Sequence, residues 1–301
     1  MKGWVIFEPF PGVKEEDYAI KRFKEVAIEE GIELKIIASR EVDLIVSGDR
    51  TGIRLNGERT ELPDFVIPRL GSRTSYFSLA VIRQLETMGV FVVNSSSSIE
   101  LVKDKLYTQQ VLSQNNLPVP KTMLAKFPVD VDFVKSELGF PIILKTLSGN
   151  RGVGVFLSET QSNFLDLVDL ISVTNKDVNL ILQEFVAESR GRDLRILTIG
   201  GKVIACIQRT AKDDSFKANV SQGGAADQYP LNDEIEWLAT QVASTLGLDF
   251  AGIDLLFTEN HFTVCEANSA PGFKGIESSF NINIPKELFN YIRVRLGIFN
   301  N

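Results

Sequence analysis

Histidine is almost missing from this chain of 301 residues: the one example, His261, sits in Glu259-Asn260-His261, which reads as a hairpin turn. That scarcity argues against a Ser-His-Asp hydrolase and against a multi-histidine metal centre. Cysteine occurs twice, at Cys206 and Cys265, in apolar strand-like runs without CxxC spacing. Both are expected to be buried and reduced, as in a cytoplasmic protein. No apolar run approaches the roughly 20 residues of a membrane helix. The opening Met1-Lys2-Gly3-Trp4-Val5-Ile6-Phe7 lacks the long apolar stretch and cleavage site of a signal peptide, so no membrane partner is expected. Positive charge is not in excess either. Lys and Arg number 32 against 39 Asp and Glu, a net charge of −7, which offers no general attraction for nucleic acid. Internal repeats, heptads and low-complexity tracts are absent from the sequence. Chemistry in such a chain must rest on carboxylates, lysines, arginines, amides and backbone.

What is present is an ordinary soluble balance, 44% hydrophobic and 24% charged, with length for one large core or two to three small ones. The first third alternates strands (4–7, 33–38, 65–67, 90–93) with helical spacing over 15–30 and 74–88, which predicts a parallel, two-sided α/β sheet. Residues 44–62 interrupt this with Ser47-Gly48-Asp49 and Asn56-Gly57, the turn signals of a β-hairpin insertion. Asn94-Ser95-Ser96-Ser97-Ser98 is the first boundary, either a solvated linker or a helix start capped by Ser98. A helix over 103–116, strands at 122–125, 141–145 and 153–157, and helices at 130–138 and 161–173 build a middle unit. Beyond Asn175-Lys176-Asp177 come closely spaced strands at 180–185, 193–199, 202–209, 250–257 and 262–268. Gly200-Gly201 makes one hairpin turn among them, and helices at 232–246 and near 286–295 pack on them. The expected class is α/β (α+β), divided at 1–94, 95–176 and 177–301.

Two groups of residues suggest chemistry. The loop Ser148-Gly149-Asn150-Arg151-Gly152-Val153-Gly154 follows a strand that ends in Lys145. Glycines let backbone N–H groups turn towards a phosphate, and a strand-end lysine is costly to bury unless an anion meets it. A hairpin turn is the plainer alternative, because no Gly-Lys-[Ser/Thr] follows. In Phe262-Thr263-Val264-Cys265-Glu266-Ala267-Asn268, alternation places Phe262, Val264, Glu266 and Asn268 on one face, the last two roughly 7 Å apart. Asp254 lies isolated in an apolar strand one hairpin away. Two acids and an amide oxygen on adjacent strands suit Mg²⁺, a hard cation that often bridges nucleotide phosphates; hydrogen-bonded strand polars are the alternative. Gln183-Glu184-Phe185-Val186 could supply backbone edges to a base, and Asp193 and Arg195 share a strand face.

These residues, taken in order, resemble the ATP-grasp superfamily, and within it the RimK-type amino-acid ligases. The resemblance covers nearly the whole chain. It runs from Ile67-Pro68-Arg69-Leu70-Gly71 through Lys103-Asp104-Lys105, Ile143-Leu144-Lys145 and Gln183-Glu184-Phe185. It continues with Gly191-Arg192-Asp193-Leu194-Arg195, Arg209-Thr210-Ala211-Lys212, Phe216-Lys217-Ala218-Asn219 and Gly223-Gly224-Ala225-Ala226. Ala251-Gly252-Ile253-Asp254 and Glu266-Ala267-Asn268-Ser269-Ala270-Pro271-Gly272 close it. The resemblance implies an ATP-grasp fold in which an N-terminal α/β domain precedes two lobes clamping ATP. Lys105, Lys145 and Lys217 would contact the nucleotide, Gly152 and Gly154 would belong to the loop over its phosphates, Glu184 and Phe185 would receive adenine, and Asp193 would be a further nucleotide contact. Asp254, Glu266 and Asn268 would hold Mg²⁺, or Mn²⁺ in its place. Arg209 and Asn219 would act near the transferred phosphate, while Arg69 and Arg195 would either hold substrate carboxylates or form structural ion pairs. The implied reaction joins a carboxylate to an amine through an acyl phosphate. An amino acid, glutamate by family analogy, would be added to a peptide, protein tail or small carboxylate. The rival within the superfamily is a phosphotransferase with a stable phosphorylated product. A homodimer or homotetramer is implied by the same resemblance. Lys217-Ala218-Asn219 stands where the family commonly has Arg-Ser-Asn, and Gln208 replaces an acid, which argues against carrying over the ribosomal-protein acceptor known in the family.

Overall fold

Strand alternation in the first third sorts side chains onto two cores, as a two-sided sheet requires. The computed structural model describes residues 1–9, 16–48, 52–146, 154–174, 179–212, 215–218 and 224–298. Its N-terminal sheet is parallel, in the order Glu33–Ile37, Lys2–Phe7, Phe65–Arg69, Phe91–Val92. Val5, Phe65 and Ile67 point to one side, where the helix Tyr18–Glu29 seats Ile20, Phe23 and Val26. Trp4, Ile6 and Val66 point to the other, against Leu79, Ile82 and Leu85 of the helix Tyr76–Thr87. Gly3 has no alternative here: a Cβ would meet the Phe65 ring at 2.1 Å. The inserted hairpin is present as Val42–Ile45, Gly52–Leu55 and Glu58–Arg59, turning at Asn56 (φ 51°) and Gly57 (φ 79°).

The serine run is a helix start, not a linker. Ser95, rather than Ser98, is the cap; its hydroxyl accepts from the Ser98 N–H at 3.1 Å and opens the helix Ser96–Lys103. The helix expected over 103–116 is Lys105–Gln114, separate from the helix before it. Asp104 closes the first, and its carboxylate accepts from Tyr107 N at 2.9 Å to open the second, Lys105–Gln114. Lys105 therefore lies in a first helical turn.

The middle sheet is antiparallel, ordered Val155–Ser158, Ile142–Thr146, Leu180–Glu184, Thr122–Leu124. The strand Leu180–Glu184 thus belongs to the middle sheet. Ile142, Leu144, Leu180 and Leu182 pack with Phe164 and Val168 of the helix Gln161–Thr174 and Val134 of the helix Val131–Leu138. Lys145 and Gln183 alternate with these residues and so occupy the opposite face.

The C-terminal sheet runs Ala225–Gln228, Lys202–Thr210, Arg192–Ile199, Phe250–Phe257, Phe262–Asn268, all antiparallel. One face is sealed by the helix Asp233–Thr245, with Leu112 of the helix Lys105–Gln114 in the same core. On the other face Leu197, Ile199, Ala205, Ile207 and Phe250 merge with the N-terminal core through Phe273 and Phe289, the latter on the helix Ile284–Arg295. The N-terminal domain and C-terminal lobe therefore share apolar packing, whereas the middle lobe has a core of its own.

Candidate active site

The strand Arg192–Ile199 carries Asp193 and Arg195 on the same face as Leu197 and Ile199, so this face passes from polar to apolar along the chain. The antiparallel register extends the polar end sideways. Asp193 pairs with Arg209, Arg195 with Asp254, Asp254 with Glu266, and Gly252 with Asn268.

This row is not the one that simple alternation predicts. The register shifts between Asp254 and Leu255, leaving Cys265 without an opposite residue: Glu266 pairs with Asp254 while Val264 pairs with Leu255. Phe262 and Val264 consequently face the helix-covered core, and Glu266 and Asn268 turn to the other face beside Asp254. The bulge, not uninterrupted alternation, brings the three oxygen-bearing side chains together.

Asp254 is gripped from both sides. Arg195 Nε and Nη2 donate to its two carboxylate oxygens, the latter at 2.7 Å, and Arg209 Nη2 lies 3.0 Å from Oδ2. Arg209 also donates from Nε and Nη2 to Asp193, both at 2.6 Å. Burial works against ionisation of Asp254, but the two guanidinium groups outweigh it and hold its carboxyl below the usual range. At Asp193 burial prevails over Arg209 and pushes the carboxyl upwards. Gly252 makes the crowding feasible, since a Cβ there would meet Pro271 Cβ at 2.7 Å and Arg195 Cδ at 3.3 Å.

Between the middle and C-terminal sheets lies a cleft walled by Lys105, Gln109, Thr122, Lys145, Gln183, Cys265 and Glu266 among others. Lys145 Nζ donates to Gln183 Oε1 at 2.6 Å, and Gln183 Nε2 donates to Thr122 Oγ1 at 2.8 Å. Lys145 has no carboxylate partner among the described residues, and Glu266 has no hydrogen bond or ion pair there. Cys265 Sγ stands 3.9 Å from Lys145 Nζ, and burial pushes its thiol up, so it is a wall and not a nucleophile. Among the described residues no group of three or more His, Cys, Asp or Glu is arranged to hold a metal. The donor set is instead two carboxylates and an amide. Asn268 Nδ2 faces Gly252 O at 3.5 Å and leaves Oδ1 available beside Glu266, whereas both Asp254 oxygens are engaged by guanidinium groups; the oxygen donors of Glu266 and Asn268 are of the kind that suits Mg²⁺.

The remaining expected residues are distributed as follows. Gly154 has φ 75° and its carbonyl accepts from Thr146 N at 2.9 Å, where the glycine loop rejoins the sheet. Glu184 and Phe185 lie just past the cleft-lining Gln183; the Glu184 carboxylate accepts from Lys121 N at 2.9 Å, and Arg190 stands 5.8 Å over the Phe185 ring. Lys217 follows Phe216, whose carbonyl accepts from Gly191 N near Arg192, and burial lowers its pKa. Arg69 is in the N-terminal domain, where Nη2 donates to Pro271 O at 2.9 Å. Gly152 and Asn219 lie outside the described residues.

The contacts of three residues escape a sequence reading. Gln183 holds Lys145, and Gln109 donates to Cys265 O at 3.0 Å; the latter is visible only as the i+4 neighbour of Lys105. Asn94, wholly buried, accepts from Asp249 N (2.6 Å) and Phe250 N (2.9 Å) and donates to Phe250 O and Ser269 O (both 2.8 Å). It thereby fastens the start of the Asp254 strand to the residue after Asn268.

Comparisons with known proteins agree with this architecture. The RimK-like ATP-grasp domain family matches residues 102–292, and the RimK PreATP-grasp domain family matches residues 12–99. A "Probable alpha-L-glutamate ligase" of Legionella pneumophila is 37% identical over 278 residues, 91% of each chain. A "Probable alpha-L-glutamate ligase 2" of Pseudoalteromonas atlantica is 34% identical over 276 residues, again 91% of each. Among solved structures, the ATP-grasp ligase PsnB complexed with minimal precursor, Mg and ADP superposes with TM-score 0.74 at 19% identity over 98% of each chain. D-alanine–D-alanine ligase from Bacillus anthracis, complexed with ATP, gives 0.68 at 16% identity over 98% of this chain and 97% of that one. At such identities the structures speak for the fold.

Proposed function

The chain belongs to the RimK-like ATP-grasp family and is an ATP-dependent acid–amino-acid ligase; we propose that it forms an amide through an acyl phosphate, adding an amino acid to a peptide, protein tail or small carboxylate. Glutamate is the amino acid that the relatives' names suggest. One observation carries the reading. Among the described residues Lys145, a cation without a carboxylate partner, and Glu266, an acid without a cation, line one cleft beside the Asp193–Arg209–Asp254–Arg195 row. Nucleotide phosphates complement the first, and a divalent cation complements the second.

A carboxylate in water is a poor electrophile. Transfer of the γ-phosphoryl group of ATP to a carboxylate oxygen forms a C–O–P linkage and releases ADP. The amine nitrogen then attacks the carbonyl carbon, the C–O bond to phosphate breaks, and the amine proton passes to solvent. Lys105 and Lys145 bind phosphate oxygens, and Gln183 keeps Lys145 extended across the cleft. Arg209, fixed bidentately by Asp193, offers a preorganised positive charge towards the transferred group, and Asn219 acts beside it. Glu266, Asn268 and Asp254 would hold Mg²⁺, which when bound offsets charge on the phosphates. Gly152 and Gly154 belong to the loop over those phosphates, which excludes water from the acyl phosphate. Glu184 and Phe185 flank adenine, and Lys217 approaches the nucleotide from the far side.

The test is a screen of the twenty amino acids, alone and with candidate peptides, in ATP and Mg²⁺. Phosphate should be released only when a carboxylate and an amine are both supplied, with a product mass one condensation higher. Phosphate release indifferent to any amine, or a stable phosphorylated product, would replace ligation with a phosphotransferase.

A further inference from the structure

The N-terminal sheet contains a second place where a ligand is expected on topological grounds. From the strand Lys2–Phe7 the chain adds Glu33–Ile37 on one side, then returns to add Phe65–Arg69 on the other. The order reverses between the strands that end in Phe7 and Arg69, which are register partners. In open α/β sheets the crevice at the carboxyl ends of the strands, at such a reversal, is where ligands bind.

Arg69 occupies that point and is only 8% exposed. Other arginines of the protein have acids: Arg195 has Asp254, Arg209 has Asp193, Arg22 has Glu277 at 3.0 Å, and Arg293 has Glu30 at 2.8 Å. Arg69 has none among the described residues. Its Nη2 is taken by the Pro271 carbonyl, and its guanidinium carbon stands 5.9 Å from the ring centroids of both Phe250 and Phe273. Nη1 is buried with no hydrogen-bond partner among the described residues. Burial lowers its pKa to about 10, with Arg73 adding to the effect and Asp17 only partly opposing it. A guanidinium kept charged in such surroundings calls for an anion, and its planar fork matches a carboxylate.

Given that the chain is a ligase, we propose that Arg69 receives the free, non-activated carboxylate of the incoming amino acid, making the enzyme selective for amine donors that carry that group. Arg195 does not share the role, because its fork is already engaged by Asp254. Pro271 lies three residues beyond Asn268, so the carboxylate receptor is tied to the loop that follows the metal-facing residues. The activated carboxylate is assigned to the cleft lined by Lys145 and Glu266, and Arg69 is not among the residues that line it.

The experiment uses the full chain and the non-hydrolysable nucleotide AMPPNP with Mg²⁺. Thermal stabilisation is measured for the twenty L-amino acids and their carboxamides, with and without nucleotide. At least one free amino acid should stabilise the wild type, and its carboxamide should bind about tenfold or more weakly, as loss of a charge-assisted hydrogen bond requires. Arg69→Gln should erase that preference while keeping the AMPPNP shift, and Arg69→Lys should keep part of it. Equal stabilisation by acid and carboxamide, a preference that survives in Arg69→Gln, or no stabilisation by any amino acid would overturn the assignment. The wild-type acid-to-carboxamide ratio decides the matter even if a variant fails to fold. Loss of the AMPPNP shift in the wild type would instead strike at the ligase reading, since that shift does not involve Arg69.

Discussion

Replacing Arg195 with Met removes a charged fork and keeps most of the stem. The fork holds both oxygens of Asp254, and the two side chains are 14% and 7% exposed, so the pair is largely desolvated. Removing one partner of a buried ion pair costs roughly 3–5 kcal/mol, because the other charge stays buried. Arg209 remains 3.0 Å from Asp254, which places the cost near the low end, about 3 kcal/mol. At about 2–4 °C per kcal/mol, the melting temperature without Mg²⁺ should fall by roughly 6–12 °C. Charge then determines the response to metal. Asp193, Asp254 and Glu266 against Arg195 and Arg209 give the site a charge of minus one, and the substitution makes it minus two. Mg²⁺ should bind the variant more tightly, with about 1.4 kcal/mol of added stabilisation at saturation for each tenfold gain in affinity. Scanning calorimetry across a Mg²⁺ series measures both effects. Identical Mg²⁺ shifts in variant and wild type would show that Arg195 does not compete for the Asp254 carboxylate, and an unchanged metal-free melting point would refute the buried-pair argument itself.

Lys145→Gln should weaken AMPPNP binding by about 10- to 150-fold, the equivalent of one charge-assisted hydrogen bond of about 1.5–3 kcal/mol. Its melting temperature should not drop, because among the described residues the lysine has no acidic partner and meets the neutral Gln183 and Cys265; calorimetric titration and a thermal melt check the two halves. Tyr18 and Tyr291, two of five tyrosines, should ionise near 12 in an ultraviolet titration: burial raises both phenols, and Glu277 and Asp249 reinforce the shift. Unfolded phenols ionise near 10, so the contribution of these two groups to stability is complete below about pH 10 and falls away as the pH rises to 12. Tyr18→Phe should remove one of the late transitions; a titration with all phenols ionising together near 10 would contradict the structure.

The two shared and separate cores give this chemistry a mechanical setting. Phe23, Phe273 and Phe289 belong to a single packed cluster, so the N-terminal domain and the sheet bearing Asp254 share one apolar core. Asn94 and Arg69 add polar fastenings at Ser269 and Pro271, on either side of Ala270. The middle lobe, with Phe164 and Val168 in a core of its own, carries Lys145 on the opposing wall.

Local pattern was sufficient wherever a residue's environment depends on its near neighbours in the chain. The strands 250–257 and 262–268, the Gly200-Gly201 turn (φ 58° and 76°) and the Asn56-Gly57 turn are all written in alternation and turn chemistry. So is the strand end at Lys145, and the series of motifs identifies the family. Long-range register determined the rest. The bulge at Cys265 leaves no mark in the composition of Phe262–Asn268, yet it decides which face Glu266 and Asn268 occupy. The capture of Asp254 by Arg195, 59 residues away, and the uncommitted Nη1 of Arg69 depend on which strands become neighbours. A one-dimensional pattern records which side chains alternate, but whether a buried charge meets an opposite charge is settled only when distant strands pack, because at those distances burial and pairing outweigh local preference.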